Sequence, residues 1–318
     1  MKFTLALLGV TAAISDVEQA YMSYIAKHGK SYATREEYEF RLAQFAKKFA
    51  YVQAHNALND DDHTVEVNHM ADWTDSEYKR ILGYRRSNKT RQASIKVEAV
   101  KDLPASVNWV TAGAVTPVKN QGQCGSCWSF SATGAMEGAY QIKNGNLVSF
   151  SEQQLVDCSK AQGNEGCNGG LMDDAFDYAK ITAMDTEAQY PYTARDGTCH
   201  AAAGVATISG YTDVTPKSPT ALAAAAAVGP VSIAIDASGI SFQLYHGGIM
   251  KKMCGQKLDH GVLLVGYGTD NGTDFWLVKN SWGASWGEKG YFRILREMDK
   301  ENVGGVCGLQ LDPSQPQF

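Results

Sequence analysis

Residues 121–130 read QGQCGSCWSF and lead into a segment, Ser126 to Lys143, that has the apolar spacing of a helix. Asn144-Gly145 would end this helix, because glycine is common just past a helix C-terminus. Cys127 is then expected at the helix N-terminus. A thiol reacts as its thiolate, which the positive end of a helix and a nearby imidazolium both stabilise. The segment therefore predicts a nucleophilic cysteine.

The spacing of Cys124 and Cys127 is also that of a redox or zinc-binding motif. No second pair of this kind follows along the chain, and no strand–helix–strand pattern precedes it. The sequence context thus favours the nucleophile over the redox or zinc motif. We expect neither a metal nor a cofactor.

All seven cysteines lie after residue 120. Six of them could form three disulfides in an oxidising compartment, which would leave one either reactive or buried. Spacing alone leaves fifteen pairings of six cysteines open. The seven are Cys124, Cys127, Cys158, Cys167, Cys199, Cys254 and Cys307.

The N-terminus has the pattern of a cleaved secretory signal over residues 1–15. One lysine precedes an apolar stretch, and the small residues Ala13 and Ser15 stand at cleavage spacing. The alternative is a short buried helix. No other stretch is apolar over the roughly 18 residues that a membrane span needs, so we expect no membrane span. A lysosome, an equivalent acidic vacuole or the cell exterior is the expected location.

Charge and composition change near residue 100. Residues 16–102 hold 14 acidic and 14 basic side chains, whereas the chain from residue 103 holds 20 and 14. The net charge of -5, with no basic tail, argues against a nucleic-acid partner. We therefore predict three parts, namely a signal at 1–15, a segment at 16–102 and a main body at 103–318.

Two helices are indicated within residues 16–102. The first has six residues at spacings of three and four, which lie on one helix face. They are Glu37, Arg41, Phe45, Lys48, Val52 and Asn56. Glu37 and Arg41 are expected to form an ion pair one turn apart. The second helix is indicated by the capping box that Thr74 and Glu77 form.

The main body has helix signals first and strand signals later, which predicts an α+β fold. A capping box begins at Ser151, and an alanine-rich helix is expected at 221–227. Runs of β-branched and aromatic residues between turns predict strands. These strands are 231–235, 261–267, 275–278 and 290–295.

His260 and Asn280 lie ten residues on either side of Asp270, within a turn signal. If an antiparallel hairpin is centred there, the two residues face each other, and the amide oxygen can hold one imidazole tautomer. Four of the seven histidines belong to the early segment. We interpret His200 and His246 as structural or surface residues.

Three separated segments resemble the papain family of cysteine proteases, close to its cathepsin L branch. They are residues 121–130, the LDHG of 258–261, and the NSWG of 280–283 with Trp286-Gly287. The likeness runs from about residue 20 to about residue 310. It implies two domains, a helical left domain and a β-barrel-like right domain, with the site in the cleft between them.

The same resemblance implies roles for particular residues. Cys127 is the nucleophile, His260 the base and Asn280 the residue that orients the imidazole. Gln121 supplies an oxyanion donor with the Cys127 N–H, and Trp282 shields the His260–Asn280 hydrogen bond. The implied disulfides are Cys124–Cys167, Cys158–Cys199 and Cys254–Cys307.

A substrate pocket, S2, is also implied for the side chain two residues before the cleaved bond. Its walls are Leu171, Met172, Ala234 and Leu258, beside a Gly169-Gly170 backbone that would pair with an extended substrate. Asp312 stands at the pocket floor, where a relative has a small apolar residue. There it would accept Arg in addition to Phe or Leu. The alternative is that Asp312 turns the chain before Pro313 and points to solvent.

Residues 16–102 resemble the inhibitory propeptide of the family, with departures at Lys48, Glu66 and Met70 and matches at Asn68 and Asp72. A zymogen activated by propeptide removal is implied. We expect acid to loosen carboxylate pairs such as that of Glu37 with Arg41.

The expected activity is that of a monomeric endopeptidase acting on proteins and peptides, since no paired-histidine insertion that would cap the cleft is present. Its expected partners are its own propeptide and cystatin-like inhibitors. The competing hypothesis is an inactive homologue that only binds peptides or such inhibitors, which the complete set of implied catalytic residues argues against. Asn88 and Asn271 fit the pattern for glycosylation.

Overall fold

The computed structural model describes residues 15–58, 63–86, 103–252 and 254–318. The expected signal, apart from Ser15, and the Asn88 glycosylation pattern lie outside these residues. The described helices are α1 (Asp16–His28), α2 (Arg35–Ala57), α3 (Asp75–Arg80), α4 (Cys127–Asn144), α5 (Glu152–Cys158), α6 (Met172–Ala179), α7 (Pro219–Val228) and α8 (Ile240–Gln243). The described strands are β1 (Thr64–Val65), β2 (Val107–Asn108), β3 (Gly210–Asp213), β4 (Val231–Ile235), β5 (Tyr245–Gly247), β6 (Ile249–Met250), β7 (His260–Asp270), β8 (Thr273–Lys279), β9 (Tyr291–Leu295) and β10 (Ser314–Gln317).

The early segment forms a helical unit around an aromatic core. Helices α1 and α2 pack through Tyr21, Tyr24 and Phe45, all buried, with ring centroids of Tyr21 and Phe45 5.1 Å apart. The capping box at Thr74 and Glu77 is present, as predicted, and begins α3. The six residues of the predicted stripe all lie in α2, so that prediction of a helix is confirmed.

The ion pair predicted within α2 is not the main contact of its arginine. Arg41 Nε is 4.0 Å from Glu37, whereas its two terminal nitrogens bond both carboxylate oxygens of Glu77 at 2.6 and 2.7 Å. A guanidinium matches a carboxylate best in this two-point arrangement, and α3 brings Glu77 within reach of it. Arg41 therefore ties α2 to α3.

The departures from the propeptide pattern have defined contacts. Lys48 is buried and donates from Nζ to the Trp73 carbonyl. Glu66 is half-exposed and pairs with Lys27 and His246. Met70 is buried in the core of the β-rich part. Of the matching positions, Asn68 bonds the Gln243 carbonyl at 2.8 Å and so ties the early segment to the main body.

The main body has a helical core and a β-rich core. The helical core surrounds α4, whose residues from Cys127 to Gly138 are all buried, and includes α5 and α6. The β-rich core lies on a sheet of order β3-β10-β4-β7-β8-β9-β6, with β2 also paired to β7. The predicted order of helices before strands is confirmed. Strand β4 matches its predicted bounds.

The predicted register of the β7–β8 hairpin is wrong, by three residues between the turn and Gly266 and by two beyond it. Asn271 and Gly272 form the two-residue turn, with φ of 47° and 79°, and Asp270 pairs with Thr273. Asn-Gly suits such a turn because both positions need positive φ. The hairpin is therefore centred between residues 271 and 272, and a bulge between Leu264 and Gly266 shifts the pairing again.

Candidate active site

Cys127 is the first residue of α4, at the helix N-terminus where the apolar spacing after it predicts. It is fully buried and is the free cysteine of the described chain. Its Sγ accepts hydrogen bonds from the N–H groups of Gly261 and Gly83, each at 3.3 Å. Gly261 directly follows His260, so the hydrogen bond places the histidine backbone beside the thiol.

His260 and Asn280 meet although the hairpin does not place them opposite each other. His260 begins β7, Asn280 follows β8, and Nε2 lies 2.8 Å from Oδ1. The N–H of Ser281 also donates to Oδ1 at 2.8 Å, which identifies that atom as the oxygen. Nε2 therefore carries the imidazole proton, and the buried Nδ1 has no hydrogen-bond partner among the described residues.

Trp282 covers the histidine ring at a centroid distance of 4.7 Å and is itself buried. Its Nε1 donates to Gln121 Oε1 at 3.1 Å, and Ser281 Oγ donates to the same oxygen at 2.7 Å. These two donors fix the Gln121 amide, so its Nε2 is the donating end. Nε2 bonds the carbonyls of Ile81 and Cys124 at 2.8 and 2.9 Å.

Burial disfavours the charged form of both Cys127 and His260 in this form of the protein. It raises the pKa of the Cys127 thiol to about 11, against the opposing hydrogen bonds from Gly261 and Gly83. Burial also lowers the pKa of His260 to about 4, while the hydrogen bond to Asn280 acts in the opposite direction. A thiolate–imidazolium pair is therefore disfavoured while the early segment covers the site.

The early segment crosses the site as an extended chain at Gly83. The bonds are between backbone groups. The Gly83 carbonyl accepts from the Gly170 N–H at 2.8 Å, the Arg85 N–H donates to the Gly170 carbonyl at 2.9 Å, and the Tyr84 N–H donates to the Asp259 carbonyl at 3.0 Å. A Cβ on Gly83 would lie 1.8 Å from the Gly125 oxygen, so this close approach requires glycine. Cys127 Sγ contacts an N–H group of this segment. A nucleophile attacks a carbonyl carbon, so this contact does not lead to cleavage.

Tyr84 lies among the residues predicted to line the substrate pocket. It is buried in one apolar cluster with four of the residues predicted to line that pocket, namely Leu171, Met172, Ala234 and Leu258. Its hydroxyl donates to the carboxylate of Asp312. Of the two predicted glycines, Gly170 pairs with the early segment, while Gly169 bonds within its own loop, to Gly166 and Glu165.

Sequence reasoning missed several residues that surround this site. Gly83 and Tyr84 lie between α3 and residues outside the described part, and no motif marks them. Tyr78 donates its hydroxyl to the Ala237 carbonyl at 2.6 Å and packs edge-on against Trp282. Only the capping box before Tyr78 indicated structure in this stretch.

The predicted disulfides and surface positions are found where expected. His200 and His246 are exposed, and Asn271 is exposed at the hairpin tip. The disulfides formed are Cys124–Cys167, Cys158–Cys199 and Cys254–Cys307. Among the described residues no group of three or more His, Cys, Asp or Glu could hold a metal ion. No helix in the described ranges is long and apolar enough to cross a membrane.

A free, buried thiol at a helix N-terminus, next to a histidine held by an asparagine and covered by a separate helical segment, defines the class of cysteine peptidases made as precursors. Comparison with protein families agrees. Residues 103–317 match the model for the papain family cysteine protease, and residues 21–78 match the cathepsin propeptide inhibitor domain.

Named relatives support the match. Procathepsin L of Mus musculus is 43% identical over 327 residues, covering 97% of this chain and 96% of its own length. Cathepsin L1 of Drosophila melanogaster is 45% identical over 332 residues, covering 97% and 89%. The oryzain beta chain of Oryza sativa subsp. japonica is 44% identical over 313 residues, covering 95% and 67%.

Solved precursor structures share the fold. Digestive procathepsin L 3 of Tenebrio molitor larval midgut has a TM-score of 0.86 and 39% identity, covering 96% of this chain and all of that one. A recombinant stem bromelain precursor has a TM-score of 0.87 and 33% identity, covering 96% and 99%. The chain belongs to the papain family of cysteine proteases. It is a peptide hydrolase in zymogen form, with its own inhibitory propeptide, and its fold is the papain-like α+β fold that the sequence predicts.

Proposed function

We propose that this protein is an endopeptidase in which Cys127, His260 and Asn280 act together. The observation that carries the proposal is the contact of Cys127 Sγ with Gly261, next to a histidine whose Nε2 is held by Asn280. Nδ1 of His260 is left without a partner among the described residues, so it is available to the thiol proton. Gln121 Nε2 can donate to an oxyanion once its hydrogen bond to the Ile81 carbonyl is broken.

The reaction runs in two displacements. The thiol proton passes to His260 Nδ1, and the thiolate attacks the substrate carbonyl carbon. The oxyanion receives hydrogen bonds from Gln121 Nε2 and the Cys127 N–H. The imidazolium then gives its proton to the leaving amine, which leaves a thioester on Cys127. His260 next takes a proton from water, whose oxygen attacks the thioester and releases the carboxylic acid and the thiol.

The variant Cys127→Ala tests this assignment. We expect a correctly folded precursor that, after processing by added protease, has no measurable peptidase activity, because no other nucleophile is proposed. The matched control is wild-type precursor treated with the same protease, which must become active. Residual turnover by pure Cys127→Ala protein would show that another group performs the chemistry.

The propeptide assigned here is residues 16–102, and its removal is proposed to uncover the site. Two contacts support this proposal. The Gly83 N–H bonds the Cys127 thiol, and Tyr84 packs with the predicted pocket residues. Activation in acid follows from groups in the propeptide that change charge below neutral pH. The proposed location is an acidic compartment or the cell exterior, reached through the signal at 1–15. We also propose that the protein is a monomer and that cystatin-like inhibitors bind it.

The S2 pocket is proposed to select its side chains through Asp312. Leu171, Met172, Ala234 and Leu258 provide apolar contact, and the Asp312 carboxylate accepts from a donor at the tip of the bound side chain. Tyr84 supports this role because its hydroxyl makes that contact. Trp282 is proposed to shield the His260–Asn280 pair, and Gly169 and Gly170 to border the substrate backbone.

A further inference from the structure

A buried group of charges lies directly behind Asn280. Lys119 Nζ donates to Glu137 Oε1 at 2.9 Å, to Glu152 Oε1 at 2.6 Å and to the Phe150 carbonyl at 3.1 Å. These three bonds use all the donors of the ammonium group. Glu137 and Glu152 are each only 1% exposed, and Glu152 also accepts from Thr133 at 2.5 Å.

The two glutamates differ in one respect. Both oxygens of Glu137 are occupied, Oε1 by Lys119 and the Phe150 N–H, and Oε2 by Thr116 at 2.6 Å. Glu152 Oε2 is buried and has no hydrogen-bond partner among the described residues. Burial raises the pKa of Glu152 to about 8, against the attraction of Lys119, so this group is protonated in acid. Whether bare or protonated, a buried carboxyl oxygen without a partner is unfavourable, so it indicates a partner of another kind.

Asn280 has the complementary gap. Its Oδ1 accepts from His260 and Ser281, but its Nδ2 is buried and has no acceptor in the described chain. The amide is 3% exposed. One donor and one acceptor are thus left unpaired on two residues that approach the same space.

That space is a small cavity between these residues. Asn280 and Glu152 both line it, together with Lys119, Glu137 and Lys279. About 20 Å³ of it is accessible to a water molecule. A polar cavity of this size holds one water molecule. Water can accept from an amide N–H and donate to a carboxylate oxygen at once.

We propose that this cavity binds one water molecule that accepts from Asn280 Nδ2 and forms a second hydrogen bond with Glu152 Oε2, so that Glu152 is a positioning residue for Asn280 and, through it, for the imidazole of His260. The inference rests on the proposed role of Asn280. Rotation of the amide by 180° would turn Nδ2 toward two N–H groups, those of His260 and Ser281. The bridge opposes this rotation and therefore holds the imidazole tautomer whose Nδ1 is free to accept a proton.

A crystal structure of the wild-type protein tests the bridge without any substitution. We expect one ordered water within hydrogen-bond distance of both Asn280 Nδ2 and Glu152 Oε2. An empty cavity, or a water that contacts only one of the two atoms, would overturn the proposal.

Kinetics of processed variants test the positioning role. Glu152→Met removes the carboxylate at nearly constant volume, and we expect kcat to fall on the order of tenfold with little change in KM. Glu137→Met is the matched control, because it also takes a carboxylate from Lys119 but makes no bridge to Asn280. It should lower the melting temperature comparably and leave kcat near wild type. Glu152→Gln, which keeps polar atoms at both positions, should restore most of kcat.

Equal loss of kcat in the Glu152→Met and Glu137→Met variants would contradict the positioning role and indicate a general effect of disrupting the charges. The variant Asn280→Ala separates this inference from the proposed function. If Asn280→Ala keeps full kcat, the role proposed for Asn280 itself fails. If Asn280→Ala loses activity while Glu152→Met does not, only the bridge fails.

Discussion

The contact between Tyr84 and Asp312 bears on what the S2 pocket accepts. Asp312 is far from the catalytic segments in sequence, and only the packing of Tyr84 with Leu171, Met172 and Ala234 brings a hydroxyl to its carboxylate. The alternative in which Asp312 points only to solvent does not account for this hydrogen bond. A side chain that ends in a donor, such as Tyr or Arg, would take the place of Tyr84 in a substrate.

The variant Asp312→Ala is expected to lose this preference. A charge-assisted hydrogen bond contributes about 1.5 to 3 kcal/mol, so kcat/KM for an Arg-Arg substrate should fall on the order of tenfold or more relative to a Phe-Arg substrate. Turnover of the two fluorogenic substrates by processed enzyme measures the ratio. Asp270→Ala, at the exposed hairpin far along the chain, serves as the control, and an unchanged ratio in Asp312→Ala would mean that Asp312 does not contact the substrate.

At the scale of elements, the link between α2 and α3 is expected to withstand mild acid. The two hydrogen bonds from Arg41 lower the pKa of Glu77 to about 2, against an opposing effect of burial. A carboxylate with a lowered folded pKa stabilises the fold above its unfolded value, and this contribution is lost only as pH falls toward the folded value. The pair therefore remains charged at pH 5, and the sequence-based expectation that Glu37 and Arg41 provide the acid response is not supported by their 4.0 Å separation.

The variant Glu77→Gln should loosen the propeptide at neutral pH. Losing the charge partner of Arg41 costs about 1 kcal/mol or more, so we expect more peptidase activity to leak from the unprocessed precursor at pH 7. Glu37→Gln is the matched control, since its contact with Arg41 is long. If both variants leak equally, the Arg41–Glu77 pair has no special part in holding the propeptide.

His69 is better placed to respond to acid. Its ring lies edge-on to Trp73, its Nδ1 is buried without a partner among the described residues, and burial lowers its pKa to about 4, aided by nearby Lys30 and His28 and opposed by Asp72. The unfolded propeptide has the ordinary histidine pKa of about 6.5 and therefore binds an extra proton between about pH 6.5 and 4. Propeptide stability falls as pH falls through this window, by up to about 3 kcal/mol.

The variant His69→Gln removes this titration, so we expect slower processing at pH 5 and little change at pH 7. Gel analysis of precursor conversion over time measures both. His200→Gln is the control, because His200 is exposed on the main body. Equal conversion rates of His69→Gln and wild type at pH 5 would exclude His69 as the acid-responsive group.

Across the whole molecule, local chemistry was predictable from sequence and long-range packing was not. The helix that begins at Cys127, the capping box at Thr74 and the strand Val231–Ile235 follow from short patterns. The pairing of Arg41 with Glu77 and the contact of Tyr84 with Asp312 depend on segments that meet only in the folded chain. The prediction of the hairpin register was wrong because a bulge and the position of an Asn-Gly turn determine the register.

The two cores also explain how the early segment can cover the site at Cys127. Met70, Tyr78 and Ile81 of the propeptide lie in the β-rich core, whereas Tyr84 lies in the helical core. The propeptide therefore spans both halves and passes over Cys127 between them. Its burial of the thiol, as well as its physical cover, supports the proposed mode of inhibition.

The central claim is that Cys127 and His260 form a reactive pair that the propeptide keeps neutral. The rate at which iodoacetamide labels Cys127, followed by mass spectrometry from pH 5 to 9 before and after processing, tests it most directly. We expect the processed enzyme to label rapidly and almost independently of pH. The precursor should label on the order of 10,000-fold more slowly at pH 7, and faster as pH rises, since little thiolate exists far below a pKa of about 11. Equal rates in the two forms, or the pH profile of an ordinary thiol in the processed enzyme, would contradict the account.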